Sequence, residues 1–236
     1  MGKVQSVGGD QMTTTEIIQG DMFKLLPEMG ENSFDYIFTS PPYNRKRNDK
    51  YEYYDDAIDY TKMLNFLADQ SLRIAKDYVF INVQKNYYNK KQVLDFMGHF
   101  SGKIVEVFIW NKSNPMPASG HNITNSYEFV IALSAVHKSL KARNTYTKNV
   151  ITTSVNSNNT YKKIHKAVMS EDFAKTFFSK FVEPNKRVLD PFSGLATTGL
   201  ACISNSDDYV GIEVVPEYVK LSRERLNERN AEIALF

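Results

Sequence analysis

The hydrophobic residues of the chain fall into two patterns that alternate along most of its length. Short runs rich in β-branched and aromatic residues predict strands at 15–19, 34–38, 78–83, 104–110, 127–134, 187–189 and 209–213. Apolar residues at helical spacing predict helices around Leu25 and Leu26, at 58–75, at 91–100, at 170–181, after Gly194, and in the charged C-terminal part as far as about Arg229. Because strands and helices alternate, the predicted fold class is α/β, with a mostly parallel, doubly wound sheet and helices on both faces.

The composition limits the number of domains. With 236 residues, of which 42% are hydrophobic, the chain suffices for one well-buried core. We expect a flexible leader at 1–14 and a single domain at 15–236. The only cysteine, Cys202, lies in a predicted helix, so we expect no disulfide framework and no metal site. No apolar run reaches the roughly 20 residues of a membrane span, and no secretory signal is evident. A cytoplasmic, intracellular protein without a membrane partner is therefore expected.

The net charge of +2 hides an uneven distribution of charge. The segment 129–170 contains no aspartate or glutamate but seven lysines and arginines, interleaved with asparagine, serine and threonine. Such side chains bind phosphates and base edges, so we favour nucleic-acid contact over a merely solvated face. A basic recognition segment is predicted at about 137–165. The candidate nucleic-acid contacts are Lys141, Arg143, Lys162 and Lys163 there, and Arg45 and Arg47 in a second, smaller cluster.

The run Thr39-Ser40-Pro41-Pro42-Tyr43-Asn44 directly follows the predicted strand 34–38. Two consecutive prolines cannot continue a strand, so the chain leaves the sheet there in a stiff, extended conformation. The Ser40 hydroxyl, the free carbonyl of Pro41 and the flat ring of Tyr43 are then held side by side. Polar acceptors next to an aromatic ring suit a planar base that carries an exocyclic amine. A sharp turn with a packed tyrosine is the plainer alternative.

The run 186–199 reads as a short strand, a tight loop with Gly194 and the start of a helix. This arrangement presents backbone N–H groups to a nucleotide-like ligand. Asp190 and Glu213 end two predicted strands 23 positions apart, close to the roughly 20-residue spacing at which an acidic side chain reaches a ribose hydroxyl. Glu213 is therefore the predicted ribose ligand. For Asp190, and for Asp21 at the end of the first strand, helix capping is an alternative role.

Together these motifs resemble the β group of the S-adenosylmethionine-dependent DNA amino-methyltransferases, which methylate the exocyclic nitrogen of cytosine or adenine. The run 40–43 resembles their Ser/Asp-Pro-Pro-Tyr signature, and 186–199 resembles their cofactor loop. The order of catalytic loop, basic segment and cofactor loop is that of the β group. Further matches are Gly20-Asp21, Trp110-Asn111-Lys112 with the later Glu128, His165-Lys166-Ala167 and Gly211-Ile212-Glu213.

The resemblance implies a Rossmann-like methyltransferase fold with an antiparallel strand in the sheet. It implies S-adenosylmethionine as cofactor and S-adenosylhomocysteine as product, bound by Asp21, Asp190, Phe192, Gly194, Thr197, Thr198 and Glu213. The implied catalytic residues are Ser40, Pro41, Pro42 and Tyr43. The implied partner is double-stranded DNA in a prokaryotic or phage-like cell, with a homodimer and a cognate restriction endonuclease as further candidates.

The chemistry follows from the target. An exocyclic amine is a poor nucleophile because its lone pair is conjugated into the ring, so the Ser40 hydroxyl and the Pro41 carbonyl are expected to accept its two protons. The base must be flipped out of the duplex, and Tyr43 is expected to stack on it. In the family, serine at the first signature position goes with cytosine, and aspartate or asparagine with adenine. Ser40 therefore favours cytosine N4, with adenine N6 as the alternative.

The chain departs from the family at two places. Family members carry Gly-Ser-Gly where this chain has Gly194-Leu195-Ala196, and a proline in place of Lys166. A Cβ at position 196 is harmful if that backbone needs a positive φ or close approach to the ligand. A second hypothesis is therefore a DNA-binding protein with impaired catalysis. A third is an unrelated nucleotide-binding oxidoreductase, which leaves 40–43 unexplained.

Overall fold

The computed structural model describes residues 13–44, 59–136, 138–155 and 168–233. Within these ranges, eight strands form a single sheet. The strands are β1 (Thr15–Gln19), β2 (Phe34–Thr39), β3 (Ala75–Val83), β4 (Ile104–Lys112), β5 (Tyr127–Leu133), β6 (Val150–Thr153), β7 (Arg187–Asp190) and β8 (Asp208–Glu213). Their order is β1-β8-β7-β2-β3-β5-β4-β6. Strand β5 runs antiparallel to both β3 and β4, and the remaining pairs are parallel. The predicted sheet, including the expected antiparallel strand, is confirmed.

Six helices lie within the described residues. They are α1 (Met22–Glu28), α2 (Tyr60–Ile74), α3 (Lys90–His99), α4 (Glu171–Phe181), α5 (Thr197–Ser204) and α6 (Pro216–Ile233). Side chains fix several of their starts: the Asp21 carboxylate accepts the N–H of Phe23 before α1, and the Ser170 hydroxyl accepts the N–H of Phe173 before α4. All six predicted helices are present, with boundaries shifted by a few residues. None of the described helices combines the length and apolar content needed to cross a membrane.

The helices cover both faces of the sheet. Alternation along the strands sends Phe38 and Phe80 to one face, where the first core cluster contains the buried residues of α4, α5 and α6. Their neighbours Ile37 and Val79 point to the other face, where the second core cluster contains those of α1, α2 and α3. Phenylalanines dominate the first cluster, and Phe177 makes edge contacts with Phe80 and Phe108 at ring separations of 5.0 and 5.2 Å.

The position of β2 and β7 at the centre of the sheet decides where a ligand can bind. The two strands are parallel neighbours, with Tyr36 opposite Val188. From β2 the chain crosses to β3 on one side through α2, and from β7 it crosses to β8 on the other side through α5. The loops that follow β2 and β7 therefore diverge and leave a crevice at the ends of the strands. We call this end of the sheet the carboxyl edge and the opposite end the amino edge.

Strand β6 was not predicted. It lies inside the predicted basic segment 137–165 and pairs in parallel with β4, from Ile109 opposite Val150 to Lys112 opposite Thr153. Its signal in the sequence is the β-branched run Val150-Ile151-Thr152-Thr153, which the surrounding basic and asparagine-rich residues obscured. This part of the segment is therefore a strand of the sheet.

Candidate active site at the carboxyl edge

A pocket at the carboxyl edge joins the loops that follow β2 and β7. It is lined by Ser40, Val168, Met169, Asp190, Phe192, Ser193, Gly194, Leu195, Thr197 and Thr198. Six of these residues were predicted site residues, although Ser40 is 150 positions from Asp190 in the sequence. Val168, Met169, Ser193 and Leu195 were not predicted as site residues, because their apolar or small side chains carry no chemical signal in the sequence.

Asp190 organises the pocket from inside. One of its carboxylate oxygens accepts the Thr39 hydroxyl at 2.7 Å and the N–H of Phe192 at 3.0 Å, and the other accepts the Thr198 hydroxyl at 2.7 Å. Burial raises the pKa of Asp190 to about 6, although these hydrogen bonds oppose the shift. Since both oxygens already have donors, Asp190 fixes the two loops and the start of α5 relative to one another.

Glu213 at the end of β8 holds the loop from the other side. Its Oε2 accepts the N–H of Gly194 at 2.9 Å, and its Oε1 accepts the N–H of Val215 at 2.8 Å. Burial raises the pKa of Glu213 to about 7. Asp21, the other predicted acidic ligand at this edge, caps α1 through the N–H of Phe23. Capping was the alternative role for Asp21, and the structure shows that contact.

The loop between β7 and α5 contains the residues that depart from the family pattern. Gly194 has φ 52° and Ala196 has φ 56°, so both lie in the left-handed region. For a residue with a Cβ this conformation costs roughly 1–2 kcal/mol. The Ala196 side chain is fully buried in the first core cluster, while Leu195 lines the pocket. The substitution at position 196 therefore strains the backbone, and its methyl group gains core packing.

The run Ser40-Pro41-Pro42-Tyr43 is fixed by hydrogen bonds at Ser40 and Tyr43. The Ser40 and Tyr43 hydroxyl oxygens are 2.8 Å apart, and both approach Oδ1 of Asn82, at 3.3 and 3.1 Å. The Tyr43 hydroxyl also donates to Oε2 of Glu128 at 2.8 Å. Lys112 lies 2.6 Å from the other oxygen of that carboxylate.

The backbone of this loop is held as well. The Tyr43 carbonyl accepts the side-chain amides of Asn86 and Asn89, each at 2.8 Å. Neither asparagine was singled out from the sequence, and neither was Asn82, the only polar residue of the run 78–83 apart from Tyr78. For Asn82, the available signal was an amide near the end of an otherwise apolar predicted strand, because a buried amide needs hydrogen-bond partners.

The predicted DNA contacts separate into two groups. Arg45, Arg47, Lys162 and Lys163 lie outside the described residues. Arg143 lies at the amino edge, where its guanidinium donates to the Val182 carbonyl at 3.3 Å and to the Asn205 side chain at 2.9 Å. Lys141 lies between Ser139 and Arg143 in the chain. The Ser139 carbonyl accepts the Tyr78 hydroxyl at the same edge, so Lys141 is held there on both sides. The structure therefore does not bring Lys141 and Arg143 together with Ser40.

Comparison with known proteins gives these features a context. A family model described as DNA methylase, N6_N4_Mtase, matches residues 34–224, which is more than half of the chain. The type II methyltransferase M.HinfI of Haemophilus influenzae is 24% identical over 244 residues, covering 90% of this chain and 68% of M.HinfI. Two other relatives are longer, and this chain spans only 27% and 30% of their lengths.

Two solved structures resemble the fold. PvuII DNA methyltransferase, which is cytosine-N4-specific, has a TM-score of 0.72 at 21% identity, covering 94% of this chain and 93% of that chain. At this identity the likeness concerns the fold alone. The complex of M1.HpyAVI with S-adenosylmethionine has a TM-score of 0.68 at 25% identity, covering 91% of this chain and all of that chain, 100%. Because the family match includes both loops that line the pocket, the chain belongs to the N6_N4_Mtase family of DNA methylases.

Proposed function

We propose that this protein transfers a methyl group from S-adenosylmethionine to the exocyclic N4 amine of a cytosine flipped out of double-stranded DNA. The observation that carries the proposal is the pocket in which Ser40 meets the residues of the loop after β7. A proton acceptor for the amine and a cradle for a nucleoside cofactor thus share one crevice, as the transfer of a group between two ligands requires.

The residues present suit S-adenosylmethionine. Glu213 lies at the end of β8, where its carboxylate accepts backbone N–H groups of the neighbouring loops. A carboxylate has about four acceptor sites, so capacity remains for a ribose hydroxyl. Phe192 offers an aromatic ring, and Thr197 and Thr198 place the start of α5 at the pocket. When bound, S-adenosylmethionine supplies an electrophilic methyl group. We assign Asp190 the role of holding this cradle, since its oxygens are already occupied.

Ser40, Pro41 and Tyr43 act on the base. The Ser40 hydroxyl oxygen and the Pro41 carbonyl accept hydrogen bonds from the two N–H groups of the amine, which localises the lone pair on nitrogen. The Tyr43 ring stacks on the flipped base and offsets part of the cost of unstacking. A cysteine nucleophile has no role in this reaction, and the buried Cys202 suits that, because burial raises its pKa well above the ordinary value.

The choice of cytosine rests on Ser40, and adenine N6 is the alternative that the family also covers.

The DNA lies against the carboxyl edge. The residues that flank 156–167 both lie at this edge: the Val155 N–H donates to Oδ1 of Asn114 after β4, and Val168 lines the pocket. We propose four phosphate contacts. Arg45 and Arg47 follow the described residue Asn44 in the sequence, and Lys162 and Lys163 lie between Val155 and Val168 in the sequence. A homodimer and a cognate endonuclease complete the proposed partners.

To test this proposal, the protein is expressed in cells that lack DNA methylation. Modified bases are mapped by sequencing, and the methylated nucleoside is identified by mass spectrometry. We expect N4-methylcytosine at one short site, and no modification from Ser40→Ala. N6-methyladenine as the product would transfer the assignment to the alternative base. A folded protein that binds S-adenosylmethionine in calorimetry but leaves DNA unmodified would support the hypothesis of impaired catalysis.

A further inference from the structure

Four side chains behind Ser40 form what we call the polar network: Tyr43, Asn82, Lys112 and Glu128. Lys112 and Glu128 form an ion pair of 2.6 Å with side chains only 9% and 6% exposed, and Asn82 is fully buried. Removing two charges from water costs several kcal/mol, which their attraction often only balances. A buried pair at this place is therefore better explained by what it imposes on its neighbours than by a gain in stability.

The ion pair fixes the direction of the Tyr43 hydroxyl. An ammonium group only donates hydrogen bonds and a carboxylate only accepts them. Lys112 therefore donates to Oε1 of Glu128, and Oε2, at 2.8 Å from Tyr43, must receive the tyrosine proton. Tyr43 has a single proton, and a charged acceptor outcompetes the neutral ones around it. The Tyr43 oxygen consequently faces Ser40 as an acceptor.

Asn82 imposes the same direction. Its Nδ2 donates to the Phe129 carbonyl at 3.1 Å, which turns Oδ1 toward Ser40 and Tyr43. The Ser40 hydroxyl therefore has two acceptors behind it, the Tyr43 oxygen at 2.8 Å and Oδ1 of Asn82 at 3.3 Å. Its proton goes to one of them, and its remaining lone pairs are left for the pocket.

We propose that the polar network holds Ser40 as a hydrogen-bond acceptor toward the target base, and so selects bases that carry an amine against those that carry a carbonyl at the same position. An amine proton meets the Ser40 lone pair, whereas a carbonyl oxygen meets it as a second acceptor and stays unpaired. Uracil is the carbonyl counterpart of cytosine, and hypoxanthine that of adenine. Glu128, Lys112 and Asn82 are thus positioning residues. The inference rests on the proposed function, because it concerns the base that Ser40 receives.

The variant Glu128→Gln tests the direction of the network. Lys112 only donates, so the new amide turns its oxygen to Lys112 and its NH₂ group to Tyr43. The tyrosine then accepts from the amide and donates to Ser40, since that contact of 2.8 Å is shorter than the 3.1 Å to Asn82. Ser40 loses Tyr43 as an acceptor and keeps Oδ1 of Asn82 at 3.3 Å for its own proton. Removing the ammonium group as well, with Glu128→Gln combined with Lys112→Met, releases the amide to turn its oxygen back to Tyr43. The double variant therefore restores the original direction.

The readout is binding to two DNA duplexes that carry the mapped site, one with the amine base and one with its carbonyl counterpart at the target position. We expect Glu128→Gln to lower the ratio of amine-duplex to carbonyl-duplex binding by up to about tenfold relative to the parent, the free-energy scale of one unmet buried hydrogen bond. The double variant should restore the parent ratio. The mispair in the carbonyl duplex affects every variant equally, so only changes of the ratio count. Asp77→Asn, which alters an ion pair with Lys138 at the amino edge, is the matched control and should keep the parent ratio.

A second readout needs no DNA. The tyrosine C–O stretch in infrared difference spectra against Tyr43→Phe reports the hydrogen bonds of the Tyr43 hydroxyl. In the parent this hydroxyl donates to a carboxylate, whereas in Glu128→Gln it accepts from the amide and donates to a neutral oxygen, so the stretch should shift. In the double variant it donates to residue 128 again, and the stretch should move back. An unchanged stretch in Glu128→Gln, or an unchanged ratio, would overturn the inference. The predicted spectra in a protein that leaves DNA unmodified would uphold the network and refute only the proposed function.

Discussion

Tyr43 contacts its surroundings along its whole length. Its backbone carbonyl is held by Asn86 and Asn89, its ring packs against the second core cluster, and its hydroxyl belongs to the polar network. A ring fixed at so many points keeps little rotamer freedom to lose when a base stacks on it. The residue is therefore preorganised for both of its proposed roles, as a stacking surface for the base and as the acceptor for Ser40.

These two roles predict different effects for two substitutions. Tyr43→Phe keeps the ring and removes the hydroxyl, so kcat should fall by about tenfold, as for the loss of one hydrogen bond to a charged group. Tyr43→Ala also removes the stacking surface, worth roughly 1–3 kcal/mol, so kcat should fall by a further factor of ten or more. Single-turnover methylation measures both. Equal losses in the two variants would exclude a stacking role.

At the scale of elements, β8 and the loop after β7 fit together through a glycine. A Cβ added at Gly211 would lie 2.6 Å from the Ser193 hydroxyl oxygen and 2.6 Å from that of Tyr209. These two hydroxyls are hydrogen-bonded at 2.9 Å, and Ser193 lines the pocket. The close approach of the strand thus determines where the loop lies.

Gly211→Ala should therefore push Ser193 out of place and weaken the binding of S-adenosylmethionine. We expect an increase of Kd by about tenfold or more in calorimetry, and a loss of about 1–3 kcal/mol of stability from overpacking. Gly102→Ala is the control, because nothing lies within 4 Å of a Cβ at that position. A Gly211→Ala protein that binds the cofactor like the parent would show that the loop adapts.

At the scale of the whole molecule, the two edges of the sheet differ in how their basic residues are used. At the amino edge, Lys138 pairs with Asp77 at 2.6 Å and Arg143 anchors the chain to Val182 and Asn205. The basic residues that we propose for DNA lie outside the described residues, and the described residues that flank them in the sequence lie at the carboxyl edge. Neutralising lysines at the two edges should therefore have different consequences for DNA binding.

Lys162→Gln with Lys163→Gln should weaken DNA binding and reduce the slope of log K against log salt by about two, since each phosphate contact contributes about one. Lys138→Gln with Lys141→Gln removes the same charge from the amino edge and should leave the slope unchanged. Fluorescence anisotropy over a range of salt concentrations measures both. Equal effects would mean that only total charge matters.

Three buried carboxyl groups predict how stability depends on pH. Burial raises the pKa of Asp190 to about 6 from 3.8, that of Asp207 to about 7 from 3.8, and that of Glu213 to about 7 from 4.5. The folded state therefore keeps protons that the unfolded state has lost. Their contribution to stability is fully present below about pH 4 and is lost as the pH rises through about 7. Glu171, whose pKa is lowered, loses its contribution only below its ordinary value of 4.5 and does not oppose this trend.

Calorimetry should accordingly give a Tm that falls by several degrees between pH 5.5 and pH 8. Asp207 lies at the amino edge, where it accepts the N–H of Lys186 and the amide of Asn205, far from the pocket. Asp207→Asn removes one titrating group and should flatten the fall without changing cofactor binding. A Tm that rises over this range would contradict the assignment.

The sequence by itself determined the kind of fold and the places where the chain leaves the sheet in the two loops. Alternating strand and helix patterns predicted the doubly wound sheet, because burial against a sheet imposes periods that are local and readable. Pro41 and Pro42 marked a break after β2, and Gly194 marked a tight loop after β7, because both residue types act on the backbone of their own position.

Only the tertiary structure decided which residues meet. Asn82, Lys112 and Glu128 lie on three strands, and their contact with Tyr43 depends on strand order and register, which no local pattern records. The structure also assigned Asp190 an internal role and Arg143 to the amino edge, since hydrogen-bond partners 151 and 62 positions away are set by packing. Residue types fix which interactions are available, but long-range packing selects the ones that are made, because each depends on elements that approach only when the sheet is assembled.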